Sequence, residues 1–282
     1  MPEGVLSIVA TPIGNLEDIT ARAVRTLKEA DRILAEDTRH TRKLLAHLGV
    51  EAAVLISLHE HNERARIEQV LGWLAAGEQL VLVSDAGTPL ISDPGYPLVR
   101  AVREAGYSVT PVPGPCALIA ALSASGLPTD RFAFEGFLPA KSGARRQHLS
   151  RLRQEERTLV FYESTHRIHA MVEDLVSVMG ADREAVIARE LTKTWETVLA
   201  GSLGEFDQIL KADLNQGRGE LVVMVRGATQ EAGQADLNAD QVLAVLDEVL
   251  PPKTAAVVAA RILGGHKRDW YGRLMAKRDQ QT

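Results

Sequence analysis

The chain has almost no cysteine and lacks long apolar runs. Its 282 residues include one cysteine, which excludes a disulfide framework and points to a reducing compartment, so we expect a cytoplasmic protein. No uninterrupted run of about 18 apolar residues occurs, which excludes a membrane-spanning helix. With no basic segment ahead of the first apolar stretch, we also expect no secretory leader. The formal net charge of −5 excludes a general affinity for nucleic acid, although it leaves room for a local basic patch.

Residues 81–99 carry the strongest local signal for a ligand site. The apolar run over residues 80–83 is too short for a helix and predicts a buried strand. It ends at small and turn-forming residues, Ser84 to Pro89, which allow close backbone approach and leave amide groups pointing outward. A plain connection needs only about 2–6 residues. We therefore interpret the longer stretch as a ligand loop at the carboxyl end of a strand, where open α/β sheets bind their ligands.

Similar apolar segments recur between helical patterns along the chain. They predict strands over residues 5–10, 32–35, 55–58, 80–83, 109–112, 132–137, 158–162, 185–188, 196–199 and 220–225. Helices are predicted over residues 63–76, 96–104, 117–126, 166–179 and 203–210. Residues 127–130 are typical of a domain boundary, and residues 227–234 of a polar linker. Three short helices are predicted after that linker, over residues 239–277.

Other polar loops follow predicted strands and permit two interpretations each. Residues 36–42 combine two carboxylates, two arginines and a histidine. Acidic residues at a helix start interact favourably with the helix dipole, whereas the arginines that follow them fit a functional loop better. Both interpretations stay open. His59 and His61 form an incomplete zinc set with no cysteine nearby, so we predict no metal site. Cys116 lies at an apolar helix start with no adjacent histidine, which favours packing over a nucleophile.

Two basic segments are candidates for contact with a polyanion. The first has no acid before Glu155, although a solvated helix face explains it equally well; it contains Lys141, Arg145, Arg146, Arg151 and Arg153. The second is residues 251–282, where basic residues outnumber acidic ones. Trp270 and Tyr271 lie within it, either to stack on bases or to fill a small core. We predict phosphate contacts there from Lys267, Arg268, Arg273, Lys277 and Arg278.

Several long motifs occur in order: VATPIGNLEDIT, AEDTRHTRKLL, LVSDAGTPLISDPGYPLV, PGPCALIAALSASGLPTDRFAFEGFLP, FYESTHRI and ARELTKTWETVLAG. Together they resemble the bacterial 16S rRNA (cytidine-2′-O)-methyltransferases of the tetrapyrrole-methylase superfamily. The resemblance extends from about Val5 to Val225 and is looser in the C-terminal helices. Two residues depart from the family pattern: Cys116 replaces a serine and Thr165 replaces a proline. Neither departure affects the expected activity.

The resemblance implies two α/β domains of the tetrapyrrole-methylase type, with S-adenosylmethionine in the cleft between them, and a small C-terminal helical domain. The boundaries implied are residues 1–127, 128–229 and 236–282. It also implies a homodimer that acts on 16S rRNA or the small ribosomal subunit. The implied cofactor-binding residues are Ile13, Asp85, Ala86, Gly87, Thr88, Ile91, Cys116, Ala117, Tyr162, Glu163 and Leu191.

The implied reaction is methyl transfer to the 2′-oxygen of a cytidine ribose. Because a 2′-hydroxyl is a weak acid, a base or a cation near the forming alkoxide should help. The candidates are Asp37, Arg39, Glu190 and Lys193, with Glu163 as a further carboxylate, and the sequence does not choose among them. Two alternatives are a methylase of this fold that acts on a small tetrapyrrole or a protein, and a ribosome assembly factor without activity.

Overall fold

The computed structural model describes residues 4–51, 54–59, 61–229 and 232–279. The chain separates into two compact units, Met1–Gly227 and Ala228–Thr282. The larger unit contains two α/β lobes, each built on its own five-stranded sheet. Within the described ranges, no helix combines the length and the apolar character that crossing a membrane requires.

The first lobe has a parallel sheet with strand order β3-β2-β4-β1-β5. Its strands are β1 (Val5–Val9), β2 (Arg32–Ala35), β3 (Val54–Ser57), β4 (Gln79–Val83) and β5 (Ser108–Val112). Its helices are α1 (Ala21–Glu29), α2 (Thr38–His47), α3 (Glu63–Ala75), α4 (Tyr96–Glu104) and α5 (Ala117–Ala124). Separate apolar clusters cover the two faces of the sheet. Burial on both faces explains why β4 is a continuous apolar run.

The second lobe has a mixed sheet with strand order β6-β7-β10-β8-β9, in which only the β6–β7 pair is parallel. Its strands are β6 (Phe132–Phe137), β7 (Thr158–Ser164), β8 (Glu184–Arg189), β9 (Thr197–Ser202) and β10 (Glu220–Val225). Helices α6 (Ser142–Leu152), α7 (Ile168–Met179) and α8 (Leu203–Ala212) contribute to the core on one face.

Helix α5 joins the two lobes. It belongs to the first lobe in sequence, but its side chains Leu118, Ala121 and Leu122 share a buried cluster with Val160 and Val186 of the second sheet. The free face of that sheet is thereby covered, since an amphipathic sheet must bury its apolar face against another layer. The ends of both sheets come together around the start of α5, and this junction is where the site lies.

The basic segment before Glu155 forms a helix, and part of its positive charge is neutralised within the fold. This corrects the interpretation that all of its basic residues are free to face a polyanion or solvent. The side chain of Arg145 is 2% exposed and donates from Nε to Asp174 Oδ2 at 2.7 Å. Arg146 and Ser142 also contact the Asp174 carboxylate. Asp174 lies on α7, 29 residues further along the chain, so nothing in the local sequence indicates it. Arg145 therefore stabilises the fold and is not available to a polyanion.

The C-terminal unit contains α9 (Ala232–Val249), α10 (Pro252–Leu263) and α11 (Lys267–Asp279). Helix α9 is longer than predicted and begins inside the predicted linker. A small core joins the helices around Leu243, Ala256 and Leu274. The predicted helical character of this region is confirmed. The side chains of Lys277 and Arg278 lie outside the described residues.

Candidate active site

A cavity of about 600 Å³ lies between the two lobes of the larger unit, at the carboxyl ends of β1, β4 and β5. We call it the main cavity. Every residue that the resemblance assigned to cofactor binding lies in its lining, and so do Glu190 and Lys193. Asp37 and Arg39 lie outside this lining. The sequence reasoning missed other lining residues, among them Ser92, Asp93, Phe137, His166 and Gly219.

Backbone hydrogen bonds hold the loops of the first lobe together. Thr11 and Gly87 exchange two of them, at 2.9 and 3.0 Å, and the Thr88 hydroxyl donates to Pro115 O at 3.0 Å. Gly87 has φ +81°, a left-handed conformation that glycine adopts without strain. A Cβ at this position would lie 3.3 Å from Ile13 Cγ2 and 3.7 Å from Pro115 O. The loop therefore presents backbone to the main cavity at a point where a side chain has little room.

The second lobe contributes two consecutive polar side chains from the end of β7. The Tyr162 hydroxyl accepts a hydrogen bond from Leu118 N–H at 3.1 Å, and burial raises the pKa of this phenol. The Glu163 side chain is fully buried: its Oε1 accepts from Ser164 N–H at 2.8 Å and lies 3.2 Å from Arg167 Nε. Glu163 Oε2 is also buried and finds no hydrogen-bond partner among the described residues. Such an atom in a cavity wall needs a donor from a ligand or from water.

Glu190 and Lys193, which follow β8 of the same lobe, form an ion pair in the lining of the main cavity. Glu190 Oε1 accepts from Lys193 Nζ at 3.0 Å and from Glu220 N–H at 2.8 Å. Burial alone would raise the pKa of Glu190, but the Glu220 amide and Lys193 hold it below its ordinary value. Gly219 leaves the space for this carboxylate, since a Cβ there would lie 2.4 Å from Oε1. A carboxylate with a lowered pKa is a poor proton acceptor, which counts against Glu190 as the base.

Non-glycine residues with left-handed backbone occur on both sides of the main cavity. In the first lobe they are Leu90 (φ +72°) and Ser92 (φ +68°), and in the second lobe Glu190 (φ +49°) and Thr192 (φ +64°). Each of these conformations carries strain, of a kind that clusters at functional sites. The two strained loops are parts of the motifs that the sequence singled out.

Asp37 is the N-cap of α2. Its carboxylate accepts from Arg39 N–H at 2.8 Å and pairs with the Arg39 guanidinium at 2.7 Å, which keeps the pKa of Asp37 below its ordinary range. The helix-start interpretation of this segment is thereby confirmed. The Asp37 N–H donates to Asp85 Oδ1 at 3.0 Å, which ties it to the wall of the main cavity. The Arg39 side chain is 85% exposed.

A second cavity of about 530 Å³ lies at the carboxyl ends of β2 and β3, and we call it the acidic cavity. Its lining includes Glu36, His59, His61, Asp93 and Tyr96. Burial raises the pKa of Asp93 to about 6, and the carboxylates of Glu36 and Asp85 add to the effect. Within the described ranges, no group of three histidine, cysteine or acidic side chains is arranged to hold a metal ion.

Comparison with known proteins places this fold and cleft in a defined class. The model of the family Tetrapyrrole (Corrin/Porphyrin) Methylases matches residues 5–207. Among solved structures, a diphthine synthase shares the fold with a TM-score of 0.60 at 17% identity, covering 80% of this chain and 91% of that one. The larger unit is therefore a methylase of the tetrapyrrole-methylase class.

The closer relatives belong to one group within that class. The model RsmI C-terminal HTH domain matches residues 231–278. A "Ribosomal RNA small subunit methyltransferase I" of Xylella fastidiosa (strain Temecula1) is 54% identical over 269 residues, 95% of this chain and 98% of the relative. The protein of the same name from Escherichia coli O157:H7 is 54% identical over 271 residues, 95% of this chain and 94% of the relative. The chain belongs to the ribosomal RNA small subunit methyltransferase I family, which confirms the predicted family and fold class.

Proposed function

We propose that this protein methylates the ribose 2′-oxygen of a cytidine in 16S rRNA of the small ribosomal subunit, with S-adenosylmethionine as the methyl donor. The observation that carries the proposal is the 54% identity, over 95% of the chain, to relatives named small subunit rRNA methyltransferases. The main cavity supports it, because the residues expected to bind the donor line one space. Identity of this extent disfavours both a methylase for tetrapyrroles or proteins and an inactive assembly factor.

The main cavity fits S-adenosylmethionine in size and chemistry. Gly87 and its neighbours offer close backbone approach, while Ile13, Ile91 and Leu191 supply apolar walls for an adenine ring. Glu163 Oε2, which has no donor among the described residues, suits the ammonium group of the methionine end. The sulfonium supplies an already activated methyl group, so the chain needs mainly to position the acceptor oxygen in line with it.

The predicted catalytic residues receive separate roles in this proposal. Lys193 faces the main cavity and stabilises the negative charge that develops on the acceptor oxygen. Glu190 holds Lys193 in place through the 3.0 Å contact. Asp37 orients Arg39, and the exposed Arg39 guanidinium contacts RNA phosphate rather than the reacting atoms.

The test of the proposed activity uses small ribosomal subunits from cells that lack this protein. After incubation with the protein and S-adenosylmethionine, one cytidine in the 16S rRNA should become resistant to alkaline cleavage on its 3′ side, because a 2′-O-methyl group removes the attacking hydroxyl. Mass analysis of the nucleosides should give 2′-O-methylcytidine. A methylated base, or alkaline cleavage that persists at the modified nucleotide, would contradict the assignment.

The C-terminal unit has its own basic cleft of about 480 Å³, lined by Lys253, His266, Lys267, Arg268 and Tyr271. Trp270 has a structural role in this unit. Its Nε1 donates to Gly264 O at 2.7 Å, and the Arg273 guanidinium lies 5.3 Å from the centre of its ring. Tyr271 is therefore the better candidate for base stacking. We propose that Lys267 and Arg268 contact RNA phosphates in this cleft.

Replacing Lys267 and Arg268 together with glutamine is expected to weaken binding to the small subunit and to flatten its salt dependence. Each lost phosphate contact reduces the slope of log affinity against log salt by roughly 1, so the expected change is about 2. Affinity for S-adenosylmethionine should stay the same. Lys211→Gln, at an exposed lysine paired with Asp207, is the matched control. An unchanged slope would contradict this proposal. It would indicate that RNA is bound instead by the exposed arginines of α6 and its C-terminal end, Arg151 and Arg153.

We also propose that the protein acts as a homodimer in the cytoplasm. The dimer is an expectation from the resemblance to the superfamily, and the cytoplasm is where small subunits are available as substrate. Light scattering at micromolar concentration should give twice the chain mass of 30.6 kDa. A monomer mass under those conditions would contradict the proposed dimer.

A further inference from the structure

The peptide group between Gly219 and Glu220, in the lining of the main cavity, is held from two sides. Its carbonyl oxygen accepts a hydrogen bond from the Thr165 hydroxyl at 3.0 Å, and its N–H donates to Glu190 Oε1 at 2.8 Å. The same hydroxyl accepts a hydrogen bond from Gly219 N–H at 2.7 Å. Because both polar atoms of this peptide group have fixed partners, it cannot rotate without losing a hydrogen bond.

Thr165 lies where the ladder between β7 and β10 ends. The last paired residues of these antiparallel strands are Ser164 and Glu220. The next opposed pair is Thr165 and Gly219, and here the threonine side chain takes the place of backbone hydrogen bonds. Thr165 is only partly buried and lines the main cavity. Its hydroxyl therefore fixes the turn that enters β10 and does not serve the apolar core.

The fixed turn determines the place of Glu190, and Glu190 determines that of Lys193. A Cβ at Gly219 would lie 2.4 Å from Glu190 Oε1 and 2.5 Å from its Cγ, so the Glu190 side chain lies directly on this glycine. Glu190 Oε1 then lies 3.0 Å from Lys193 Nζ, whereas the other carboxylate near Nζ, that of Glu220, is 77% exposed. Burial alone would lower the pKa of Lys193, but hydrogen bonds to Glu190 and Glu220 hold it above its ordinary value.

The first lobe confines Lys193 from the other side. A Cβ at Gly14 would lie 2.5 Å from Lys193 Cγ, so the stem of the lysine runs along the backbone of the first lobe. Asn15 N–H donates to Thr192 Oγ1 at 3.1 Å, which links the two loops. The stem of Lys193 is thus enclosed between the lobes, and its ammonium group is held in place by Glu190.

We propose that Thr165 is a positioning residue for methyl transfer, because it fixes the peptide group that holds Glu190 and thereby sets the Lys193 ammonium beside the acceptor oxygen. The inference rests on the proposed function, in which Lys193 stabilises the charge on that oxygen. It adds a residue that acts through Lys193 and not on the reacting atoms. A cation lowers the barrier most when it is held in place before the reaction, and a displacement of about 1 Å can lower the rate by as much as about 100-fold.

The experiment is a double-mutant cycle in the full-length protein, with small subunits that lack the modification as substrate. Thr165→Val removes the hydroxyl at nearly constant size and should lower kcat about tenfold, while KM and affinity for S-adenosylmethionine stay within about threefold. Thr165→Ser keeps the hydroxyl and should restore kcat to within about twofold of the unchanged protein. Lys193→Met should lower kcat by about 100-fold. In the Lys193→Met protein, adding Thr165→Val should change kcat by less than about twofold, since the two residues act as one unit.

Thr158→Val is the matched control, at the opposite end of β7. The Thr158 hydroxyl also donates to a backbone carbonyl, that of Pro128, at 2.6 Å. This variant therefore loses a comparable hydrogen bond, and the midpoint of urea unfolding should fall in both threonine variants. Its kcat should nevertheless stay within about twofold of the unchanged protein. The comparison separates a loss of stability from a loss of positioning.

Three results would overturn the role of Thr165: a kcat of Thr165→Val within about twofold of the unchanged protein, the same loss with and without Lys193, or a loss explained by weaker S-adenosylmethionine binding. Should Thr165→Val not fold, Thr165→Cys takes its place in the cycle, because a thiol makes only weak hydrogen bonds. A full kcat in Lys193→Met would overturn the roles of both residues while methylation itself stands. Failure of the proposed function is distinguishable, because the unchanged protein would then form no 2′-O-methylcytidine in any subunit.

Discussion

The Asp174→Asn protein is expected to lose about 3–5 kcal/mol of unfolding free energy, the loss typical of breaking a buried ion pair on one side. Asp174 and Arg145 are 3% and 2% exposed in their side chains, so the substitution leaves the Arg145 charge buried without its partner. The midpoint of denaturant unfolding measures the loss. Glu104→Gln, which breaks an exposed pair with Arg100, should change stability by less than about 1 kcal/mol.

The pH dependence of this loss has a definite sign. Burial penalises the Asp174 charge, but Arg146, Ser142 and Arg145 together hold its pKa below the ordinary value of 3.8. The carboxylate therefore stabilises the native state at neutral pH, and this contribution disappears only as the pH falls through the lowered native pKa. The difference between the two proteins should shrink in acid. A loss below about 1 kcal/mol at neutral pH would show that the cluster contributes little.

Gly87→Val is expected to reduce affinity for S-adenosylmethionine by about 100-fold or more, equivalent to about 3 kcal/mol. The left-handed φ of +81° strains any residue with a Cβ, and that Cβ would meet Ile13 at 3.3 Å. The added methyl groups would enter the main cavity or push the loop out of position. Calorimetric titration with S-adenosylmethionine measures the effect.

Gly106→Val is the matched control for this substitution. Gly106 has φ +86°, so its backbone strain is the same, but no described atom lies within 4 Å of its Cβ position. It precedes the amino end of β5, whereas the main cavity lies at the carboxyl end of that strand. The control should lose stability while keeping its affinity for S-adenosylmethionine. A folded Gly87→Val protein that binds S-adenosylmethionine normally would exclude the loop from the donor site.

Local sequence is sufficient to predict the strands and the loops that follow them. The apolar run in β4 and the turn residues after it are enough to place Gly87 and Thr88 at the carboxyl end of a buried strand. Motif resemblance then supplies the partners from the second lobe, Tyr162, Glu163 and Leu191, which periodicity alone does not connect to the first.

What the sequence could not supply depends on distant neighbours. Arg145 has no acid near it in the chain, yet Asp174 neutralises it across two helices. In the sequence, Asp93 resembles an ordinary turn residue. Its pKa is raised by burial and by the nearby carboxylates of Glu36 and Asp85, which only the folded structure brings close to it. The pairing of Asp37 with Arg39 is local, but nothing in the sequence places both outside the main cavity. Each difference comes from tertiary packing, which patterns along the chain do not encode locally.

The left-handed residues Leu90, Ser92, Glu190 and Thr192 have a consequence for engineering a more heat-resistant enzyme. Each costs roughly 1–2 kcal/mol relative to a relaxed backbone, so a screen for thermal tolerance should repeatedly select glycine at these positions. Glycine there would relieve the strain and at the same time loosen the two loops that line the main cavity. Heat-resistant variants from such a screen should therefore have a lower kcat. Variants that are stabilised by substitutions on the exposed face of α8 should keep the kcat of the unchanged protein.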